Sequence, residues 1–176
     1  MARVNPITEE TGNHRSRYLT AHAVAMTLAI AAAMLILSGC ERKPMMAHAQ
    51  FKHLPKSGWQ RVMPLSFCPE YDDSTATYDL TLAVRHDNTY RYRNLSLIVD
   101  FIATDSTMSR HPVDIALADE YGNWSGGGFG TLYQDEVAVI SGISPDEAHS
   151  LVVWQAMEGC DTLLGLVNVG IIVNPQ

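Results

Sequence analysis

Residues 78–84 read Tyr78-Asp79-Leu80-Thr81-Leu82-Ala83-Val84. Large apolar side chains stand at every second position, with Asp79 and Thr81 between them. On an extended chain successive side chains point to opposite faces, so this spacing predicts a strand with Tyr78, Leu80, Leu82 and Val84 on its buried face. Three further stretches follow the same rule. Leu95, Leu97, Val99 and Phe101 share one parity, as do Val113, Ile115 and Leu117, and again Val167, Val169, Ile171 and Val173. Weaker strand patterns run over 61–67, 131–140 and 149–157.

Turn-forming residues separate these runs: Asp87-Asn88, Thr104-Asp105-Ser106, Tyr121-Gly122-Asn123, Ser125 to Gly128, and Ser141-Gly142. The helix-start signal Ser144-Pro145-Asp146-Glu147 is followed within a few positions by strand-like residues, so one turn is its expected extent. The expected fold is all-β: a single antiparallel β-sandwich of about seven strands over residues 58–176. Residues 40–57, with Pro44, Pro55 and no periodicity, read as a tether ahead of it.

The N-terminal part has a different character. Arg15 and Arg17 precede an apolar stretch over 21–36, which ends in Leu37-Ser38-Gly39-Cys40 and is followed at once by Glu41-Arg42-Lys43. A basic start, a short apolar run and small residues before a cut describe a secretory signal. The run is short for a helix crossing roughly 30 Å of hydrocarbon. Leu-Ser-Gly-Cys resembles a bacterial lipobox. Residues 1–39 are then a signal peptide that is removed, and Cys40 carries a diacylglycerol and fatty acyl chains such as palmitate.

Of the 12 Lys+Arg and 19 Asp+Glu in the chain, Arg3, Arg15, Arg17, Glu9 and Glu10 precede Cys40, which leaves nine basic and seventeen acidic residues. A body this acidic repels phosphate backbones and argues against nucleic acid as a partner. It also argues against peripheral binding to anionic lipid, so lipid on Cys40 is the expected membrane link. With Cys40 acylated, Cys68 and Cys160 remain, either as a disulfide or as two separate buried thiols.

The residue types that carry catalysis are not arranged for it. No Gly-x-Ser-x-Gly occurs, His86, His111 and His149 do not stand at metal-ligand spacing, and the adjacent acidic pairs would point to opposite faces of a strand. No cofactor or metal is expected. His86, His111 and His149 read as surface or strand-end residues. The most basic stretch of the mature domain is Arg85 to Asn94, within which Tyr90-Arg91-Tyr92-Arg93, together with Trp124, is a candidate binding surface or else hairpin decoration.

Arg85-His86-Asp87-Asn88 through Tyr90-Arg91-Tyr92-Arg93-Asn94-Leu95, with the strand to Phe101, resembles the central motif of GldH-type gliding-motility lipoproteins. So do Leu117-Ala118-Asp119-Glu120-Tyr121-Gly122-Asn123-Trp124, the glycine-rich turn and Leu132-Tyr133 after it, Gln155-Ala156-Met157, and the closing segment from Leu164 to Gly170. The resemblance runs from about Phe51 to the C-terminus. It departs at Glu158, where a basic residue is common in the family. It implies an outer-membrane-associated lipoprotein of Bacteroidetes-type bacteria that docks to other envelope proteins and has no assigned catalytic residues. In that lineage Asp73-Ser74-Thr75, Asp105-Ser106-Thr107 and Asp161-Thr162-Leu163 resemble acceptor triplets for periplasmic O-glycosylation, with Ser74, Ser106 and Thr162 as acceptors. A glycan-binding surface lipoprotein using Tyr90, Tyr92 and Trp124 is the alternative.

Overall fold

A computed structural model of the chain describes Met26 and residues 45–176. Within 45–176 the regular elements are all strands: β1 (His48–His53), β2 (Trp59–Gln60), β3 (Leu65–Phe67), β4 (Tyr78–Asp87), β5 (Asn94–Ile102), β6 (Met108–Ala116), β7 (Gly127–Phe129), β8 (Leu132–Ile143), β9 (Ser150–Gln155), β10 (Thr162–Leu163) and β11 (Leu166–Pro175). They form a five-stranded sheet ordered β1-β11-β4-β8-β7, a four-stranded sheet ordered β3-β9-β5-β6, and a small β10-β2 pair. Every pairing is antiparallel.

The expected sandwich is present. Tyr78, Leu80, Leu82 and Val84 of β4 face Leu95, Leu97, Val99 and Phe101 of β5 across the core, and each is essentially without exposed surface. Burying side chains of this size stabilises by roughly 1.5–3 kcal/mol apiece. Ser144 to Glu147 forms a single capped turn, in which Ser144 N–H and Oγ–H donate to Glu147 Oε2 at 3.0 and 2.7 Å.

The strands number eleven rather than about seven, and the additions are short or irregular. The sequence reading places 48–53 in a flexible tether, yet these residues form β1, paired to β11 from His48↔Val173 to His53↔Asn168. This edge strand is mostly exposed and has one large apolar side chain, so its alternation is faint. Phe51 anchors it: the Arg85 guanidinium lies 4.1 Å from its ring, and the ring fills the place where a Cβ on Gly170 would stand. Ser141-Gly142, expected as a turn, lies inside β8. There Gly142 takes φ +72° beside a register shift between Tyr78↔Ile143 and Leu80↔Ile140. That is a bulge, which a glycine permits at positive φ. Gly127 and Gly128, expected as a loose turn, pair with β8 as β7.

Register fixes which loops share an end. His48, Pro175, Tyr78, Ile143, Ile102 and Ser150 lie at one end, where the chain enters the domain from the side of Cys40. His53, Leu166, Asp87, Leu132, Asn94 and Ala116 lie at the other. The ten residues of β4 separate the two by roughly 30 Å. Met46 N–H donates to Asp72 Oδ2 at 2.9 Å and His48 Nε2 lies 3.0 Å from Asp72 Oδ1, so the entering segment is fastened at the first end.

Candidate functional site

The parity that buries Leu80, Leu82 and Val84 continues to His86, the last inward position of β4. On β8, which pairs with it, Tyr133 stands opposite His86 and Asp135 opposite Val84. The strand-end imidazole expected at the surface is therefore wholly buried. The alternation of β4, extended by one step, carries that information in the sequence.

Three aromatic rings enclose the imidazole. Trp124 lies 4.4 Å from it between centroids, Tyr133 stacks at 5.5 Å and 18°, and Tyr90 lies at 5.8 Å. Trp124 comes from the loop after β6, held by the isolated bridge Ala118↔Trp124 and by its Nε1–H donating to Asn88 Oδ1 at 3.1 Å. Asp119 shapes that loop by accepting the Asn123 side-chain amide at 2.8 Å and the backbone N–H groups of Asn123 and Tyr121 at 2.8 and 2.9 Å, bonds that hold its carboxyl below the ordinary range. Tyr90 is held by its hydroxyl donating to Asn94 O at 2.8 Å, and burial pushes that hydroxyl well above the ordinary tyrosine range. Gly165, at φ +85°, lets β11's entry pass so close to Tyr90 that a Cβ would meet its backbone. Three stretches far apart in sequence, 85–94, 117–124 and 132–135, thus meet around one histidine.

Asp135 Oδ2 lies 3.4 Å from His86 Nε2, and neither atom has a hydrogen-bond partner among the described residues. Ser125 Oγ–H donates to the other oxygen, Asp135 Oδ1, at 3.2 Å. Serine, carboxylate and histidine are all present, but in the wrong order. A nucleophilic serine needs the imidazole between itself and the acid, whereas here the acid stands between serine and imidazole. The imidazole and the carboxylate are both buried. Among the described residues no group of three or more His, Cys, Asp or Glu is placed to hold a metal ion.

The candidate aromatic platform does not assemble. Tyr90 is core, and Tyr92 meets it edge-on at 64° instead of lying coplanar with it. Trp124 is half-buried against His86. Arg91, Tyr92 and Arg93 are exposed, and the neighbouring Cys160 thiol raises the Tyr92 hydroxyl above its ordinary range.

Cys68 and Cys160 are free thiols, the first exposed and the second buried, so the bridge considered from the sequence is not formed. The reason is topological. Cys68 follows Phe67, which pairs with Leu151 near the start of β9, while the Cys160 carbonyl accepts the Gln155 side-chain amide at 3.0 Å at its far end. Four residues of strand separate those points by roughly 13 Å, beyond the reach of a disulfide. Ser74 and Ser106 are exposed at the tips of two like turns, in which Asp73 Oδ1 accepts Thr75 N–H at 2.8 Å and Asp105 Oδ1 accepts Thr107 N–H at 2.9 Å. Thr162 is exposed on β10. Cys40 lies outside the described residues.

A family model described as GldH lipoprotein matches residues 46–173. A gliding motility lipoprotein GldH homolog from Christiangramia forsetii is 26% identical over 145 residues, covering 78% of this chain and 87% of its own. Among solved structures, the infectious bursal disease virus VP2 subviral particle is similar with TM-score 0.30 at 13% identity, over 77% of this chain and 33% of that one. The chain thus spans about a third of the viral protein, and the likeness is too slight to carry anything further.

Proposed function

The chain belongs to the GldH lipoprotein family, and on that premise we propose that it is a lipid-anchored, non-enzymatic envelope protein that serves gliding motility by docking to other envelope proteins. One observation carries this reading. The family-like segments 85–94, 117–124 and 132–135 converge on a closed cluster around His86, whose effect is to set the loops at the end of the domain remote from the tether. A catalytic centre would instead present its imidazole to a cleft.

Acyl chains on Cys40 hold the acidic domain at the outer membrane without a basic patch. Two or more chains on one residue anchor firmly where one is marginal. Among the described residues no helix is long and apolar enough to cross a membrane. Replacing Cys40 with Ala and fractionating cells fed labelled palmitate tests the anchor. The variant should lose label and leave the membrane pellet. An unlabelled parent, or a variant that still sediments unchanged, would refute it.

Ser74, Ser106 and Thr162 are further proposed as O-glycan acceptors, supported by their exposure. Intact-mass and peptide mass spectrometry of the native protein should find glycan on at least one of the three, and a bare protein removes the suggestion.

A further inference from the structure

The two ends of the domain differ in chemistry. Apart from Met45, Met46 and Met108, the exposed large apolar side chains of the domain lie at the end remote from the tether. They include Val62, Met63, Tyr92, Tyr121, Phe129 and Leu132, with Phe129 96% and Tyr121 82% exposed. Leu132 pairs with Asp87 on one side and Phe129 on the other, so the β7–β8 hairpin tip lies one rung from the 88–93 loop. That loop is joined to Leu117 and Ala118, whose N–H groups donate to the Arg93 carbonyl at 2.8 and 3.0 Å. Large exposed apolar patches on soluble domains mark interaction sites.

Charge follows the same division. Residues 45–176 hold seven basic side chains, and five of them (Lys56, Arg61, Arg85, Arg91 and Arg93) are at or next to the remote end. Arg61 and Arg85 are tied to internal acceptors and Lys52 covers the Phe67 ring. Lys56, Arg91 and Arg93 have no ion pair among the described residues. Among the described residues the one Lys or Arg near the tether end, Arg110, is held by Asp100, while Glu70, Asp79, Asp105, Asp146 and Glu147 leave that end of the domain negative. An anionic bilayer repels such a face and turns the opposite end away from itself. Asp87, Asp119, Glu120, Glu136, Glu158 and Asp161 also lie at or near the remote end, so it is mixed in charge where the tether end is acidic, but its Arg91-Tyr92-Arg93 loop is basic and aromatic, the pairing that is enriched at energetic centres of interfaces.

We propose that this end docks a protein partner whose complementary face carries carboxylates for Arg91 and Arg93 around an apolar recess that takes Phe129. The proposal rests on the docking reading above and names its surface and its partner's chemistry.

The test uses the full-length lipidated protein in its own cells, with the photo-crosslinker p-benzoylphenylalanine placed in turn at Tyr92, Phe129 and, as control, Met108 at the tether end. The expected result is one polypeptide cross-linked from both Tyr92 and Phe129 and not from Met108. Its cross-linked peptides should map to an Asp- or Glu-rich surface. Arg91→Glu with Arg93→Glu should lower adduct yield by about tenfold or more, while Arg91→Lys with Arg93→Lys should retain most of it. Equal thermal unfolding of the variants separates this from misfolding. Adducts with lipid or glycan only, a basic partner surface, or charge reversal without effect would overturn the proposal. A protein captured at Met108 alone would overturn this face while leaving docking intact. No protein adduct from any position, with the chain running alone in gentle detergent, would overturn both.

Discussion

His86 Nε2 lies 3.4 Å from Asp135 Oδ2, and both side chains are shut away from water beneath Trp124 and Tyr133. A buried pair of this kind is costly to break by halves, because the remaining member is left buried without its counterpart. Asp135→Ala should destabilise the domain by about 3 kcal/mol in urea unfolding followed by tryptophan fluorescence. The double replacement His86→Phe with Asp135→Leu should cost less than Asp135→Ala alone. If Asp135→Ala unfolds at the parent's urea midpoint, the pair is not structural.

Asp100 accepts two bonds from Arg110, at 2.7 and 2.8 Å, and one from Trp154 Nε1–H at 3.0 Å, and these hold its carboxyl below its ordinary 3.8. A carboxyl depressed by folding contributes stability that is fully present above its unfolded value and is lost as pH falls through the folded one. With the Arg110 end largely in solvent, Asp100→Asn should cost about 1–2 kcal/mol at neutral pH. The gap between variant and parent should close as pH drops below 3.8. A pH-independent difference would assign the cost to something other than ionisation.

Cys68 is exposed and Cys160 buried, and neither is bridged. In the folded domain a maleimide should modify Cys68 within minutes and Cys160 only after denaturant is added. Cys68→Ser should leave the melting temperature within about 1 °C. Finding both thiols protected in denaturant without reductant would mean that a bridge forms.

Gly170→Ala would push a methyl into the space of the Phe51 ring. The change should act locally, freeing β1 from β11. Hydrogen exchange of residues 48–53 should accelerate by about tenfold or more while β4 and β5 keep their protection. Uniform acceleration across both sheets would instead show that the domain opens as one unit.

The central strands were legible because their side chains obey one rule throughout: the inward sets of β4 and β5 are the two apolar parities of 78–84 and 95–101. The edges were not. β1 offers one large apolar residue, β7 is mostly glycine, and β8 crosses a bulge at Gly142, so alternation fails where strands are short or exposed. His86 was within reach by extending the parity of β4, but a histidine beside turn residues reads as surface. The meeting of Trp124, Tyr133 and Asp135 around it depends on pairings between segments up to about fifty residues apart, which local spacing does not encode.

Seven residues, 41–47, separate Cys40 from β1, a leash of at most about 25 Å. β1 begins at the tether end and lies antiparallel along β11 over six rungs, His48↔Val173 to His53↔Asn168. When the remote end is gripped and the anchor is dragged along the strand axis, the pull shears all six rungs together instead of peeling them one by one. Parted that way, backbone bonds resist in concert, so β1 would yield less readily to a pull along the strand axis than to one that peels it away from β11.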